Sequence, residues 1–384
     1  MDNIQDISPF GKDGREEFGS EKITNSDVED FPKPVHRLLQ RGIIDYQRDI
    51  NNFTTSMQSD RQHSIITGVG PSGSMHLGHI VPLYFARYLQ DQTGARVYIP
   101  ISDDEKFLTR DESLQSIQNY TRENIRDILA IGFDPSKTRI ILDIDDSSVV
   151  YPLATKFASD LTVSQVDAVY GDSNNIGEVF YPSVQVSHLL LPQLVYGEHC
   201  SMMISGYDQD PHVRIARDIA DKSRYPVSKP GCLLSRYAPS LTDPNSKMSS
   251  SEEEPIISLN DNDDQVEEKI MKHAYSGGKK SREKHREEGG DPNQDVPYKF
   301  LYYFFEEDDE KLRELHDEYR NGNILSGEMK KHLVEKVSQF LNEHRTRKKA
   351  LGPIEEEIGD YRLTKTERQS ALTRVGYSTE LFFD

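Results

Sequence analysis

Residues 64–79 have the sequence SIITGVGPSGSMHLGH. The segment Arg61–Val69 is short, contains β-branched residues and is followed by glycine, which predicts a buried strand. Gly70–Gly73 predicts a turn, and apolar residues at helical spacing predict a helix from His76 to about Gln90. A strand, a tight turn and a helix in this order predict one unit of an α/β fold.

Further strand patterns follow along the chain. The short apolar or β-branched runs are Val97–Ile101, Arg139–Asp143 and Ser201–Ile204. Strands that alternate with helices predict an α/β fold with a doubly wound, mostly parallel sheet. Beyond Ser258 the pattern becomes helical, with one apolar stripe made of Leu333, Val334, Val337, Phe340 and Leu341. We therefore expect an N-terminal extension over residues 1–60, a Rossmann-like domain over 61–255 and an all-helical domain over 256–384.

The composition limits the kind of protein. A chain of 384 residues is long enough for two domains. No run approaches the roughly 20 apolar residues of a membrane helix, and the N-terminus lacks the basic and apolar start of a signal peptide. Two cysteines, Cys200 and Cys232, make neither a disulfide framework nor a multi-cysteine zinc site, so we expect a cytoplasmic protein.

The net charge of −19 taken alone argues against nucleic acid as a partner, because phosphate contacts depend on lysine and arginine. A local basic face is still compatible with this charge. The basic clusters Lys279–Lys284 and Arg345–Lys349 are candidates for such a face, although each could instead be a solvated helix face. Adaptation to high salt would also explain an acidic surface.

The glycine turn has two interpretations. Residues 68–73 fit the GxGxxG pattern of a dinucleotide-binding loop, but Pro71 lies inside it and no ribose-binding acid is evident about 20 residues further on. In the second interpretation, His76 and His79 share one face of the first helical turn, where backbone N–H groups favour an anion. Two imidazoles could hydrogen-bond phosphate oxygens, and Gly78 between them would let a flat base pack against the backbone. The histidines could also be a metal pair, although no third ligand is evident, or surface residues without a function.

Two more segments carry candidate chemistry. Residues 245–251, NSKMSSS, contain small hydroxyl residues and one lysine. They are either a polar linker or a loop that brings Lys247 to a phosphate. Residues 102–106, SDDEK, close the second predicted strand, where doubly wound sheets bind ligands. Glu105 could hold an α-ammonium group, or the acids could form a solvated patch.

Several of these motifs resemble one family. His76-Leu77-Gly78-His79 resembles the HIGH motif of class I aminoacyl-tRNA synthetases, and Pro71–His76 looks like its tryptophanyl form. Lys247-Met248-Ser249 resembles the KMSKS motif, with Ser250 in place of the second lysine. The SDDEK segment and the segments around Gln185 and Gln209 resemble the amino-acid pocket. The similarity covers roughly residues 17–350 and is to the archaeal and eukaryotic type of tryptophanyl enzyme.

The resemblance implies an ATP-dependent ligase that joins tryptophan to tRNA through an aminoacyl-adenylate, with Mg²⁺ on the phosphates. It implies catalytic roles for His76, His79 and Lys247, and no metal site made by the protein itself. The ATP-binding residues that it implies are Gly68, Gly70, Ser72, Gly78, Met248, Ser249 and Ser250. The amino-acid-binding residues that it implies are Thr67, Glu105, Gln185 and Gln209. It further implies a homodimer formed through an insertion at about residues 107–195, and an anticodon-binding role for the helical domain 256–384.

The sequence departs from the family at the amino-acid pocket. The family usually has Tyr where Ile66 stands and Gln where Pro100 stands, and those side chains bind the indole N–H. Neither Ile nor Pro can accept this hydrogen bond through a side chain. Val213 also replaces a Phe that contacts the ring, and Val69 replaces a frequent Arg. The substrate is then either tryptophan with another acceptor or a different amino acid. A nucleotidyltransferase that does not use tRNA, and a non-catalytic binding or regulatory paralogue, stay open as alternatives.

Overall fold

The computed structural model describes residues 3–10, 19–109, 112–248 and 255–378. The strands in these residues are β1 (Glu21–Lys22), β2 (Ile44–Arg48), β3 (His63–Ile66), β4 (Arg96–Ile101), β5 (Thr138–Leu142), β6 (Cys200–Gly206) and β7 (Gly231–Ser235). They form one sheet in the order β1-β2-β7-β6-β3-β4-β5. The neighbours from β7 to β5 are parallel, whereas β2 pairs antiparallel with β7 and β1 antiparallel with β2. The predicted α/β fold with a doubly wound, mostly parallel sheet is therefore confirmed.

Helices make up most of the remaining described chain. They are α1 (Asn25–Glu29), α2 (Arg37–Gln40), α3 (Ile50–Gln58), α4 (Leu77–Thr93), α5 (Asp103–Thr109), α6 (Leu114–Ile131), α7 (Ser147–Ala158), α8 (Val163–Tyr170), α9 (Ile176–Tyr196), α10 (Asp210–Ala220), α11 (Asp263–His273), α12 (Arg282–Glu288), α13 (Val296–Phe300), α14 (Asp309–Arg320), α15 (Ser326–Ala350), α16 (Ile354–Glu357) and α17 (Lys365–Arg374). A π-helical turn, Leu301–Phe305, continues α13. Short 3-10 turns lie at Ile4–Ile7, Tyr207–Gln209, Pro292–Gln294 and Ile358–Tyr361. Among the described residues, no helix has the length and apolar character needed to cross a bilayer.

Helices cover both faces of the sheet because alternate strand residues point to opposite sides. Ile65 belongs to a core shared with α4 and α6, whereas Ile66 belongs to a core shared with α7, α9 and α10. The first core continues into the helices after residue 256, where Leu333, Val337 and Leu341 of α15 are buried. The helical part of the chain is thus packed directly on the sheet part.

Several segments of the sheet part lie outside the predicted domain bounds 61–255 or inside the predicted insertion 107–195. β2 lies inside the predicted extension 1–60 and bonds to β7, a short apolar strand that the pattern did not predict. β5 lies inside the predicted insertion 107–195 and pairs with β4. α17, near the end of the predicted helical domain, packs on α7 and α9, and its Glu367 accepts a hydrogen bond from Arg139 at 2.9 Å. The predicted boundaries therefore separate segments that share one sheet or its covering layer.

The unit β3–turn–α4 stands at the centre of the sheet. α4 begins after His76, whose imidazole caps it, and ends at Gly94, which has a φ of 69°. A positive φ at this position suits glycine, since other residues are strained there. The His76 cap places the beginning of α4 at the carboxyl edge of the parallel strands, and Gly94 ends the helix.

Candidate active site

The carboxyl ends of β3, β4 and β6 surround a cavity of about 670 Å³. In a doubly wound sheet, ligands bind at this edge, beside the strand where the strand order reverses. The described residues that were predicted to act in the site all line this cavity: Thr67, Gly68, Gly70, Ser72, His76, Gly78, His79, Glu105, Gln185, Gln209, Lys247 and Met248. Ser249 and Ser250 lie outside the described residues.

His76 and His79 form a stacked pair at the beginning of α4. Their ring centroids are 3.7 Å apart and their planes are inclined by 25°. Nδ1 of His76 accepts from the N–H of Gly78 at 3.1 Å, and Nδ1 of His79 accepts from the N–H of His76 at 3.4 Å. Since Nδ1 is the acceptor in both rings, the proton of each neutral ring lies on Nε2. The pair therefore presents side-chain donors, while two of the backbone N–H groups that we expected to face an anion are bonded within the turn.

The charge state of this pair follows from its burial. Burial lowers the pKa of His76 to about 4. Burial, followed by the nearby charges of His76 and Lys106, lowers the pKa of His79 to about 3. Both imidazoles are therefore neutral near pH 7, and they offer hydrogen bonds rather than full charges to a phosphate.

Gly78 lies directly beside the capping ring. A Cβ at Gly78 would lie 3.0 Å from Cε1 and 3.2 Å from Nδ1 of His76. Such contacts are tighter than ordinary van der Waals packing, so a larger residue would require the ring of His76 to shift by a few tenths of an ångström. The role predicted for Gly78, to let a flat base pack against the backbone, stays a prediction.

Lys247 brings a full positive charge to the same cavity. Its side chain is exposed, and Nζ lies 4.9 Å from the centroid of the Tyr237 ring. The backbone around it is anchored, because Lys247 bridges Pro239 and the N–H of Met248 donates to Ala238 at 2.8 Å. A cation–π contact at an exposed site is worth about 0.5–1 kcal/mol, so the ammonium can leave Tyr237 for a phosphate at small cost.

Glu105 is paired inside the cavity. Its Oε2 lies 2.6 Å from Nζ of Lys106, and both side chains are about one-fifth exposed. Gly70 makes room for the pair, because a Cβ there would lie 2.3 Å from Cε of Lys106. Lys106 was not among the predicted site residues, although it ends the SDDEK motif. The pair places one carboxylate and one ammonium on the cavity wall, which are groups of the charge needed to bind the ammonium and the carboxylate of an α-amino acid.

One face of α9 also lines the cavity. Its lining residues recur at helical spacing: Glu178, Tyr181, Pro182, Gln185, His188 and Leu189. Gln185 donates from Nε2 to the Tyr181 hydroxyl at 2.7 Å. His188 was not predicted to belong to the site, yet its position three residues after Gln185 places it on the same face and could have indicated it.

Three of the four residues that depart from the family pattern, Ile66, Val69 and Pro100, line the cavity. Ile66 and Pro100 line it, so these two positions provide no side-chain acceptor. Val213 is fully buried and is not among the lining residues. Its neighbour His212 lines the cavity and hydrogen-bonds the Tyr170 hydroxyl through Nδ1 at 2.7 Å. α10 therefore presents His212 rather than Val213 to a ligand.

Buried carboxyls lie next to the α9 face. Burial raises the pKa of Asp103 to about 6, and burial together with Asp104 raises the pKa of Asp143 well above its usual range. Oδ1 of Asp143 lies 2.6 Å from Nε2 of His188, and both side chains are buried. Burial lowers the pKa of His188 to about 4. The His188–Asp143 contact is therefore a hydrogen bond of a neutral ring rather than a charged pair.

Comparisons with known proteins agree with this arrangement. The family model described as "tRNA synthetases class I (W and Y)" matches residues 58–342. Tryptophan–tRNA ligase 2 of Halobacterium salinarum is 49% identical over 360 residues, which cover 94% of this chain and 93% of the relative. Tryptophan–tRNA ligase of Saccharolobus solfataricus is 40% identical over 86% of this chain and 87% of the relative. The crystal structure of Plasmodium falciparum tryptophanyl-tRNA synthetase matches with a TM-score of 0.81 at 34% identity, covering 92% of this chain and 97% of that chain. This chain belongs to the tryptophanyl and tyrosyl family of class I tRNA synthetases.

Proposed function

We propose that the chain attaches tryptophan to tRNA, first activating the amino acid with ATP and then transferring it from the adenylate to the tRNA. One observation carries the proposal: the His76–His79 pair, the Lys247 ammonium and the Glu105–Lys106 pair all line one cavity. Groups suited to phosphate and groups suited to an α-amino acid thereby face a common space, as a joining reaction requires. The relatives named as tryptophan–tRNA ligases support tryptophan as the amino acid.

In the first step, an oxygen of the amino-acid carboxylate attacks the α-phosphorus of ATP, and the bond to the β-phosphate oxygen breaks. Pyrophosphate leaves with the electron pair, so no covalent enzyme intermediate is required. Nε2–H of His76 and of His79 would donate to phosphate oxygens. Lys247 would stabilise the charge that grows on the leaving pyrophosphate. The protein thus acts through positioning and electrostatics.

Mg²⁺ is expected to accompany the nucleotide. Within the described ranges, no three His, Cys, Asp or Glu side chains are grouped as metal ligands. The ion would therefore take its ligands from phosphate oxygens and water. It would supply charge neutralisation at the phosphates.

We assign tRNA binding to the helical part, residues 256–384, where the two predicted basic clusters differ. In the first, Lys280, Arg282 and Lys284 are exposed. In the second, Arg345 lies 2.9 Å from Asp263, Arg347 donates to the carbonyl of Ala130, and Lys348 lies 2.7 Å from Asp127. Cations that are engaged within the protein are less available to phosphates. The exposed cations favour Lys279–Lys284 as the contact, and both clusters stay predictions.

We also propose that the chain acts as a homodimer in the cytoplasm. Large apolar side chains are rarely exposed in the described residues, and most of those that are exposed lie between residues 107 and 195: Phe107, Leu114, Ile144, Val163 and Ile176. Ile176 is 87% exposed. Exposed apolar side chains concentrated in one segment are typical of an interaction surface, which supports the predicted dimerising role of this segment.

Two assays test the proposed function in sequence. Exchange of labelled pyrophosphate into ATP is measured with each of the twenty amino acids, and total tRNA is then charged with the amino acid that gives exchange. We expect exchange with tryptophan and formation of tryptophanyl-tRNA. Exchange with another amino acid would indicate a paralogue of different specificity, and exchange without charging would indicate a nucleotidyltransferase that does not use tRNA. Absence of exchange with all twenty would indicate a non-catalytic protein.

A further inference from the structure

The cavity that Ile66 and Pro100 line also contains a buried nitrogen that has no hydrogen-bond partner among the described residues. His188 lines the cavity and is 3% exposed. Its Nε2 lies 2.6 Å from Oδ1 of Asp143, whereas its Nδ1 has no hydrogen-bond partner among the described residues. A buried polar atom without a partner costs about 1–3 kcal/mol, so such an atom beside a ligand cavity is a candidate for a contact with the ligand.

The chemistry of this nitrogen follows from its ring. A neutral imidazole has one donor nitrogen and one acceptor nitrogen. When Nε2 carries the proton and donates to Asp143, Nδ1 keeps its lone pair. Asp143 can accept in either charge state, because a protonated carboxyl still has one oxygen without hydrogen. In this tautomer, Asp143 holds the ring so that an acceptor is left for the substrate.

The ring N–H of the substrate needs an acceptor such as His188, because two other residues of the cavity do not supply one. Ile66 and Pro100 line the same cavity and cannot accept a hydrogen bond through their side chains. Of the polar groups nearby, Gln185 donates through Nε2 to the Tyr181 hydroxyl, and Tyr170 is bonded to His212. Ser205 also lines the cavity with a buried Oγ that has no partner among the described residues, but its hydroxyl rotates freely and is not oriented by a second group.

We propose that Nδ1 of His188 accepts the hydrogen bond from the ring N–H of the amino-acid substrate, and that His188 is therefore a specificity-determining residue of this site. The inference rests on the proposed function, since it identifies how tryptophan is recognised in that cavity. Nδ1 of His188, on α9, would provide the acceptor that the side chains of Ile66 and Pro100 lack. The opposite tautomer, in which Asp143 donates to Nε2, would present Nδ1–H and would favour a phenol oxygen instead.

The test compares tryptophan with 3-(benzothiophen-3-yl)alanine, in which sulfur replaces the ring N–H at nearly the same shape. Pyrophosphate exchange with the full-length protein gives kcat/KM for both amino acids and for tyrosine. We expect the parent protein to prefer tryptophan over the sulfur analogue by roughly 10- to 100-fold, because the analogue leaves Nδ1 unpaired. In His188→Leu this ratio should fall to within about threefold of unity.

Two variants separate recognition from folding. His188→Asn is close in size to His188→Leu but keeps a polar atom near the position of Nδ1, so it should retain a preference of at least about fivefold. His344→Leu is the matched control, because His344 is a buried histidine paired with a buried acid, Asp127, at 3.1 Å outside the cavity. It should leave the ratio unchanged. If His188→Leu unfolds, the same ratio is measured in His188→Phe, which keeps a planar ring but has no acceptor and should also lose the preference.

The outcomes distinguish this inference from the proposed function. An unchanged ratio in His188→Leu, no preference in the parent, or a loss of preference in Ser205→Ala alone would each overturn the role of His188 while tryptophan charging stands. A parent protein that activates tyrosine rather than tryptophan would overturn the proposed function, and the donor tautomer would then be the one present.

Discussion

The two ends of the cavity are built in different ways. At the end that we assign to phosphate, His76 and His79 lie within four consecutive residues at one helix start, and each ring accepts a hydrogen bond from a backbone N–H of the same turn. At the amino-acid end, Ile66, Pro100 and His188 come from three separate elements, and His188 is held by another side chain, Asp143. The proposed phosphate-binding groups are thus encoded locally, whereas the proposed specificity-determining groups depend on packing between distant elements.

The largest effect is expected at the phosphate end from Lys247→Ala. The substitution removes the charge that would stabilise the departing pyrophosphate, so pyrophosphate exchange should fall by roughly 10²- to 10³-fold. The amino-acid affinity should change little, because Glu105 and Gln185 remain. Both quantities are measured on the same preparation, by exchange kinetics and by calorimetric binding of tryptophan.

Lys269→Ala provides the control for this result. Lys269 belongs to α11, forms an ion pair with Asp261 at 2.7 Å and does not line the cavity. Its replacement should leave exchange within about twofold of the parent, since a distant ion pair does not touch the reacting groups. An exchange rate in Lys247→Ala within threefold of the parent would remove the lysine from the mechanism.

A large effect on stability is expected from the neutral histidines of the phosphate end. Their folded pKa values of about 4 and about 3 lie below the usual 6.5. Below pH 6.5 the unfolded chain binds protons that the folded chain does not, so stability falls as the pH drops from about 6.5 towards 4. At pH 5, which is 1.5 units below 6.5, this amounts to about 2 kcal/mol for each histidine at 1.36 kcal/mol per unit.

Replacing both histidines isolates their contribution to the pH dependence of the free energy of unfolding. The double variant His76→Asn/His79→Asn lacks the two titrating rings, so its free energy of unfolding should decline less than that of the parent between pH 7 and pH 5. Urea unfolding of both proteins at the two pH values gives the difference between the two declines. The contributions of the other titrating groups, including Asp103, cancel in this difference. Equal declines would mean that these rings are not held neutral.

A smaller loss of rate is expected from His79→Ala. It removes one neutral donor, and a single preorganised hydrogen bond to a phosphate is worth less than a full charge, so adenylate formation should slow by roughly 10- to 100-fold. His79→Gln places an amide N–H near the position of Nε2 and should recover part of the rate. Single-turnover adenylation measures both, with His199→Ala as a histidine variant outside the cavity. The prediction fails if alanine and glutamine give the parent rate.

The difference between the two ends of the cavity also explains which parts of the molecule could be predicted from the sequence. The strands β3 to β6 and the helix α4 follow from local apolar patterns, and the phosphate end follows from residues 64–79 and a lysine motif. β2 and β7 pair across a long sequence separation, which no local pattern reveals. His188 was missed for a related reason: a histidine on an apolar helix is informative only when the cavity in front of it is known. Burial and the unpartnered Nδ1 supply that information.

The smallest effect is expected from restoring the family's usual acceptor by Pro100→Gln at the amino-acid end. If His188 already accepts the ring N–H, a second acceptor adds little, and the KM for tryptophan should fall by less than about threefold. If the N–H has no acceptor in the parent, the same change relieves a buried unpaired group and should lower KM by roughly 10-fold or more. Because Pro100 lies in β4 opposite Ile141, the melting temperature of each variant is measured beside its KM.

Pro100→Gln in the His188→Leu background tests whether positions 100 and 188 serve the same N–H of the substrate. When two groups serve the same N–H, the benefit of adding one depends on the absence of the other, so the effects of the two substitutions should not add. We expect the glutamine to restore several-fold preference for tryptophan over the sulfur analogue in the leucine variant, where it does little in the parent. Equal effects in both backgrounds would show that positions 100 and 188 contact different parts of the ligand, because a single N–H cannot be satisfied independently by both.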